Sequence, residues 1–201
     1  VLSGVAATNN VFEGNLVGTD LAGNAALGNG NSGFFILDAA ANTIGGLNPG
    51  ARNVISGNTF EGIYVSGSSN RLVIAGNTIG ANVNGTAPLP NHEYGIQIAS
   101  GFNISIGTNI VAFNTLAGIR VEAGTGNRIA ANSIFANGGL GIDLAPEGAG
   151  RNDLNDTDTG PNQRQNFPVL TSAINQAGGA VLVAGRLESA SSREFVIEFF
   201  A

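Results

Sequence analysis

Ser105–Val121 reads SIGTNIVAFNTLAGIRV, and Arg128–Leu144 reads RIAANSIFANGGLGIDL. At an offset of 23 residues Ile106 falls on Ile129, Asn109 on Asn132, Val111 on Ile134, Asn114 on Asn137, Gly118 on Gly141 and Ile119 on Ile142. Self-similarity at such a period is the mark of a repeat architecture. Working outward, the glycine that opens each unit recurs at Gly33, Gly62, Gly95, Gly118 and Gly141, and Val1–Gly4 occupies the same place in the first unit, with Leu2 where Ile119 stands. Successive units are 32, 29, 33, 23 and 23 residues long. The excess sits at two points: Leu21–Asn29 (LAGNAALGN) and Val83–Asn91 (VNGTAPLPN) at one, Leu47–Arg52 (LNPGAR) at the other. Length changes confined to two points are loops growing from fixed corners of a stacked scaffold.

Within a unit the apolar residues alternate, as in Ile119 and Val121, the period of a strand with one buried face. Each strand is too short to stand alone between its Gly and Asn breakers, and Gly and Asn tolerate the left-handed backbone of sharp corners. Stacking resolves this: if each segment pairs with its equivalent one coil along, Ile lies on Ile and Asn on Asn at about 4.8 Å. The Asn columns are then corner ladders, expected to run Asn15, Asn53, Asn77, Asn109, Asn132 and Asp20, Asn58, Asn82, Asn114, Asn137.

Over residues 1–144 the unit resembles the parallel β-helix repeat (the pectate-lyase-like superfold) of large bacterial cell-surface and secreted proteins. The phrases NTIGG…PGARNVISGN (Asn42–Asn58) and NTIG…GTAPLPN (Asn77–Asn91) carry the resemblance most closely. It implies an all-β fold, a right-handed parallel β-helix of about five to six coils with three parallel sheets, and an extracellular or cell-surface location.

Composition agrees with a solenoid of this kind. The chain has 201 residues with 31 Gly and 26 Asn; only 11% are charged, against about a quarter in an ordinary domain. All eight cationic residues are Arg, and Cys, Met and Trp are absent. A net charge of −6 argues against a nucleic-acid partner. No apolar run reaches the roughly 18 residues of a membrane-spanning helix. Without cysteine there is no disulfide framework and no thiolate ligand or nucleophile. Neither a P-loop, nor a dinucleotide fingerprint, nor a nucleophile elbow is present.

After Leu144 the repeat stops. Residues 145–164 form an Asp/Asn/Gly-rich connection, and residues 165–201 contain three candidate strands, QNFPVLTSA (Gln165–Ala173), AVLVAGRLES (Ala180–Ser189) and REFVIEFFA (Arg193–Ala201), whose spacing suggests antiparallel pairing. In the same surface proteins this order begins a β-sandwich-like module. A start at the opening of a coil, with no initiator Met or signal peptide, and a stop directly after an apolar strand suggest a piece of a larger parent chain.

Three constellations bear on chemistry. The outward position of the G-I-x-V strand holds Ser3, Phe35, Tyr64, Gln97, Arg120 and Asp143 down the stack, with both nine-residue insertions leading into it. Phe35, Tyr64, Gln97 and Arg120 are the carbohydrate-binding candidates; the plainer reading is a cross-strand aromatic pair and an Arg120–Asp143 ion pair, each worth about 0.2–1 kcal/mol. The stretch His92-Glu93-Tyr94 lies just before Gly95, beside the second large loop; its lone histidine, His92, is the only possible imidazole base, with Arg120 and Arg71 the cations that could stabilise a developing enolate. No two acidic residues fall at equivalent outward positions on adjacent coils, and no catalytic residue is assigned. Asp153, Asn155, Asp156 and Asp158 cluster oxygen ligands before Gly160, a calcium pattern that lacks a closing Glu and that also suits a self-capped Asx loop. No cofactor other than Ca2+ is indicated.

These features describe a non-catalytic extracellular scaffold or adhesion segment that contacts polysaccharide or a cell-surface glycan. The rival is a polysaccharide lyase, hydrolase or epimerase working on the exposed face. End-to-end self-association through open coils is a further partner expectation.

Overall fold

In the computed structural model, residues 1–198 are described. Sixteen short strands form three parallel sheets, and a two-stranded antiparallel ribbon follows. The first sheet takes one strand from each coil, in the order Leu2–Ser3, Phe34–Leu37, Ile63–Ser66, Ile96–Ile98, Ile119–Val121 and Ile142–Leu144. The second runs from Val11–Phe12 to Arg128–Ala130 and the third from Leu16–Val17 to Ser133–Phe135, each five strands deep. Every strand thus pairs with its equivalent one coil along, the parallel β-helix expected from the 23-residue repeat.

The core is a shaft between the three sheets. Ile63, Ile96 and Ile119 from the first, Ile44, Ile74 and Ile106 from the second, and Ile55, Ile79 and Val111 from the third are at most 1% exposed. Each buried Ile contributes about 2–3 kcal/mol over leaving it in water. Two-residue alternation places their neighbours on the outer face.

Gly95 is required by close approach. A Cβ there would lie 2.6 Å from the Gly118 carbonyl oxygen and 2.6 Å from Val111 Cγ1. The unit-opening glycines Gly33, Gly62 and Gly118 meet the next coil in the same way, whereas Gly141, in the last coil, meets nothing nearer than 3.5 Å. Left-handed backbone, the reason expected from sequence, does not apply to these four.

The Asn ladders form with one correction. Asn15 Nδ2 donates to Asn53 Oδ1, Asn53 to Asn77, Asn77 to Asn109 and Asn109 to Asn132, at 2.8–3.0 Å. The second ladder runs Asn29, Asn58, Asn91, Asn114, Asn137, not through Asp20 and Asn82. Those two close the bases of the insertions instead: Asp20 Oδ1 accepts from the Asn24 and Ala25 amides, and Asn82 Oδ1 from the Thr86 and Ala87 amides. The chain returns to the corner only at the far end of each loop, and the residue there completes the ladder.

The insertions cover the outer face of the third sheet. Val54 and Thr78, on its outward column with Leu16 and Ile110, are 2% and 0% exposed. The two loops meet across the intervening coil, where Val83 N donates to Gly23 O at 2.8 Å. The first coil is also shifted: Leu2 pairs with Ile36 and Ser3 with Leu37, so Ser3 does not sit beside Phe35. A two-residue slip keeps each side chain on its face, whereas a one-residue slip would invert it.

At the other end, a 3-10 turn over Pro161–Arg164 brings Asn162 onto the last coil. Asn162 Oδ1 accepts from the Asn127 amide and its Nδ2 donates to Asn127 O, imitating the next rung of a ladder. The ribbon pairs Val169–Asn175 with Val181–Arg186 in antiparallel fashion. Of the third expected strand, residues 193–198 join no ladder, and residues 199–201 lie outside the described residues.

Candidate functional site

The outward column of the first sheet has the expected register: Phe35, Tyr64, Gln97, Arg120 and Asp143 are successive cross-strand neighbours. Phe35 and Tyr64 stack with ring centroids 5.2 Å apart and planes 18° from parallel, leaving a half-exposed aromatic ledge. Below the ledge the polar groups bind one another. Gln97 Nε2 donates to Glu122 Oε1 at 2.9 Å, and the Arg120 guanidinium pairs with Asp143. Arg120 and Asp143 are 7% and 4% exposed, so this is a buried pair, a stronger coupling than the surface bridge expected from sequence. Asp143 also accepts from the Gly148 amide at 3.2 Å, which pins the chain leaving the last coil over the column.

Two acidic residues lie on adjacent coils at the rim of this sheet: Glu93, from the stretch around the lone histidine, and Glu61, which sequence reading passed over. Glu61 precedes Gly62 by one residue and Glu93 precedes Gly95 by two, so they hold non-equivalent positions. Glu93 N donates to Phe60 O, which sets Glu93 beside the segment that carries Glu61. Glu61, 6% exposed, also accepts from Ser32 Oγ at 2.6 Å. Burial, then the neighbouring Glu61, pushes the Glu93 carboxyl above the usual carboxylate range. Burial raises the hydroxyl pKa of Tyr94, with the charge of Arg120 opposing. His92 is exposed, its backbone N–H bonded to Asn58 O. Arg71, in a left-handed turn, lies at the corner before the second sheet and not on this column.

The acidic loop gathers three of its four candidate ligands. Oxygens of Asp153, Asp156 and Asp158 lie within 4.8 Å of one another, while Asn155 between them is exposed in a left-handed turn. Asp153 Oδ2 accepts from the amide and hydroxyl of Thr157, which hold its carboxyl below the usual range. Asp156 accepts from the Asn166 amide and from Ser189 Oγ, tying the loop to the base of the ribbon. Asp153 Oδ1 and Asp158 Oδ1 are buried and accept no hydrogen bond.

No curated protein and no solved structure matches this chain. A family model described as periplasmic copper-binding protein (NosD) matches residues 48–156, more than half the chain and most of the coil stack, and the protein belongs to that family.

Proposed function

We propose that the chain is a non-catalytic envelope scaffold whose first sheet contacts glycans and whose acidic loop binds calcium. The aromatic ledge carries the reading. Phe35 and Tyr64 offer a flat apolar surface on which a sugar ring can stack, while Gln97 and Arg120 are engaged by Glu122 and Asp143 and hold the shape of the face. The same pairing speaks against the lyase, hydrolase or epimerase reading, which needs free groups to move protons or stabilise charge. The periplasmic description of the family supports a place in the cell envelope or beyond it.

The family description names copper, and the donors here fit it poorly. Copper favours imidazole, thiolate and thioether ligands. This chain has no Cys or Met, and its one imidazole, His92, is exposed and belongs to no cluster of ligating side chains among the described residues. The grouped donors are carboxylates, and two of their oxygens lack any hydrogen-bond donor. Carboxylate oxygens suit hard cations, and calcium accepts an incomplete protein shell finished by water.

The test is a glycan-array screen of the purified chain with calcium and with chelator, alongside Phe35→Ala and Tyr64→Ala. Binding by the parent that both variants lose supports the ledge. Binding retained by both, or turnover of a bound glycan, overturns the non-catalytic ledge reading. In parallel, calcium at about 100 times its Kd raises stability by about 2.7 kcal/mol, and Asp158→Asn abolishes that gain. Copper binding tighter than calcium binding, with nitrogen coupling in its resonance spectrum, refutes the assignment of the metal.

A further inference from the structure

Beyond the last coil, a polar cleft of about 150 Å³ opens between the capping turn and the chain that leaves the ribbon. The turn after Gly160 contributes Gln163 and Gln165, the chain after the ribbon contributes Ser189, Arg193 and Phe195, and Asp156 is the one residue shared with the acidic triad. Both walls are tied down. Asn162 commits its side-chain amide to Asn127 of the last coil, and Gln163 N donates to Gly160 O at 3.0 Å. Opposite, Ser189 Oγ donates to Asp156 Oδ2 at 2.6 Å. The Glu198 carboxylate accepts from the Ala131 amide at 2.8 and 2.9 Å, which pins the far end of the Arg193 segment to a corner of the last coil.

The turn is strained. Asn162, Gln163 and Arg164 all lie in the left-handed region, with φ of 45°, 57° and 47°, where residues other than Gly are uncommon. Such backbone persists only where its surroundings over-determine it, and it gathers at binding and catalytic sites. Here it sorts the side chains. Arg164 Nε turns back to donate to Ala145 O at 3.3 Å, whereas Gln163 and Gln165 line the cleft. Gln163, Gln165 and Arg193 are exposed, and among the described residues their side chains pair with no other group.

We propose that this cleft binds one neutral sugar ring, as a second glycan contact separate from the aromatic ledge. The choice of ligand class rests on the glycan reading above, while the site stands on its own residues. A sugar hydroxyl both donates and accepts, and the cleft answers in kind. The two glutamine amides do both, the Arg193 guanidinium donates, and each Asp156 oxygen keeps a lone pair beyond the bond it accepts from Asn166 N or Ser189 Oγ. Half-buried Phe195 supplies the apolar patch for the C–H face of the ring. The volume falls below the roughly 300–1,000 Å³ of pockets for drug-sized ligands, which suits a single ring. Asp156, grouped with Asp153 and Asp158, outweighs the lone Arg193 and disfavours an anionic sugar or a phosphate.

The test uses the whole chain with chelator present. Nitrogen-detected NMR follows the side-chain signals of Gln163, Gln165 and Arg193 while methyl glycosides of glucose, galactose and N-acetylglucosamine are added, with glucuronate as the anionic comparison. At least one neutral glycoside is expected to move all three signals with a millimolar Kd, weakened about tenfold or more in Arg193→Ala and in Phe195→Ala and unchanged in Tyr64→Ala. Signals that stay still at about 0.1 M sugar, glucuronate binding as tightly as the neutral glycosides, or affinity that survives both cleft variants overturns the proposal. If Phe195→Ala does not fold, Arg193→Ala, at an exposed position, decides. Binding at the ledge moves the Tyr64 ring signals and not these three, so the cleft and the proposed function fail separately.

Discussion

Replacing Asn77 with Ala cuts the first Asn ladder at its middle rung. Asn77 is 1% exposed; its Nδ2 donates to Asn109 Oδ1 at 3.0 Å and to Ile44 O at 2.9 Å, and its Oδ1 accepts from Asn53 Nδ2 at 2.8 Å and from Asn53 N at 3.4 Å. The substitution leaves Ile44 O and both Asn53 donors without this partner in a region closed to water. Asn53 Nδ2 keeps its bond to Phe12 O, and at about 1–3 kcal/mol for each buried group left unsatisfied the other two cost about 2–6 kcal/mol, a large part of a typical 5–15 kcal/mol total. Asn137→Ala is the control. Asn137 makes the same kind of bonds to Asn114 and Val111, but it stands on the last rung, half exposed, where water can take its place. About 1 kcal/mol is expected there. Urea unfolding followed by circular dichroism measures both variants, and hydrogen exchange at the Asn53 amide localises the damage to the cut rung. If Asn77→Ala costs no more than Asn137→Ala, the ladder contributes no more than a surface turn and the reasoning is refuted.

Gly95→Ala forces a Cβ to within 2.6 Å of backbone on the next coil, and should destabilise by several kcal/mol, whereas Gly141→Ala meets only an ordinary 3.5 Å contact and should stay within about 0.5 kcal/mol of the parent. Melting temperatures of the two variants, measured together, check the contrast. Asp143→Ala strands the buried Arg120 and is expected to cost about 3–5 kcal/mol, while the double change Arg120→Met with Asp143→Leu should recover much of that loss. Denaturant midpoints of the single and double variants decide whether the pair is a structural lock, and a single variant as stable as the parent would show that it is not.

The coil stack was legible from Ile106, Val111, Asn109 and their partners 23 residues on, because a side chain that must stack on its own kind repeats at the coil length. The ledge was legible for the same reason: Phe35, Tyr64, Gln97, Arg120 and Asp143 lie in the column that spacing assigned them. Where the coil length varies, that logic loses its ruler. Asp20 and Asn82 sit at the expected corner spacing, yet the chain detours before turning, and Asn29 and Asn91 take the corner.

Sequence alone therefore determined the repeat, the alternation of buried and outward residues, and the family of stacked coils, since each follows from a period of two within strands and a period of one coil between them. Tertiary structure decided the rest. It set the first-coil slip of two residues, the folding of both insertions over the third sheet, and the use of Asn162 as the rung that closes the last coil. The reason is common to all three: these contacts join residues whose separation is not a multiple of the repeat. Their pairing is selected by which buried N–H, C=O and carboxyl groups find partners once the stack has formed.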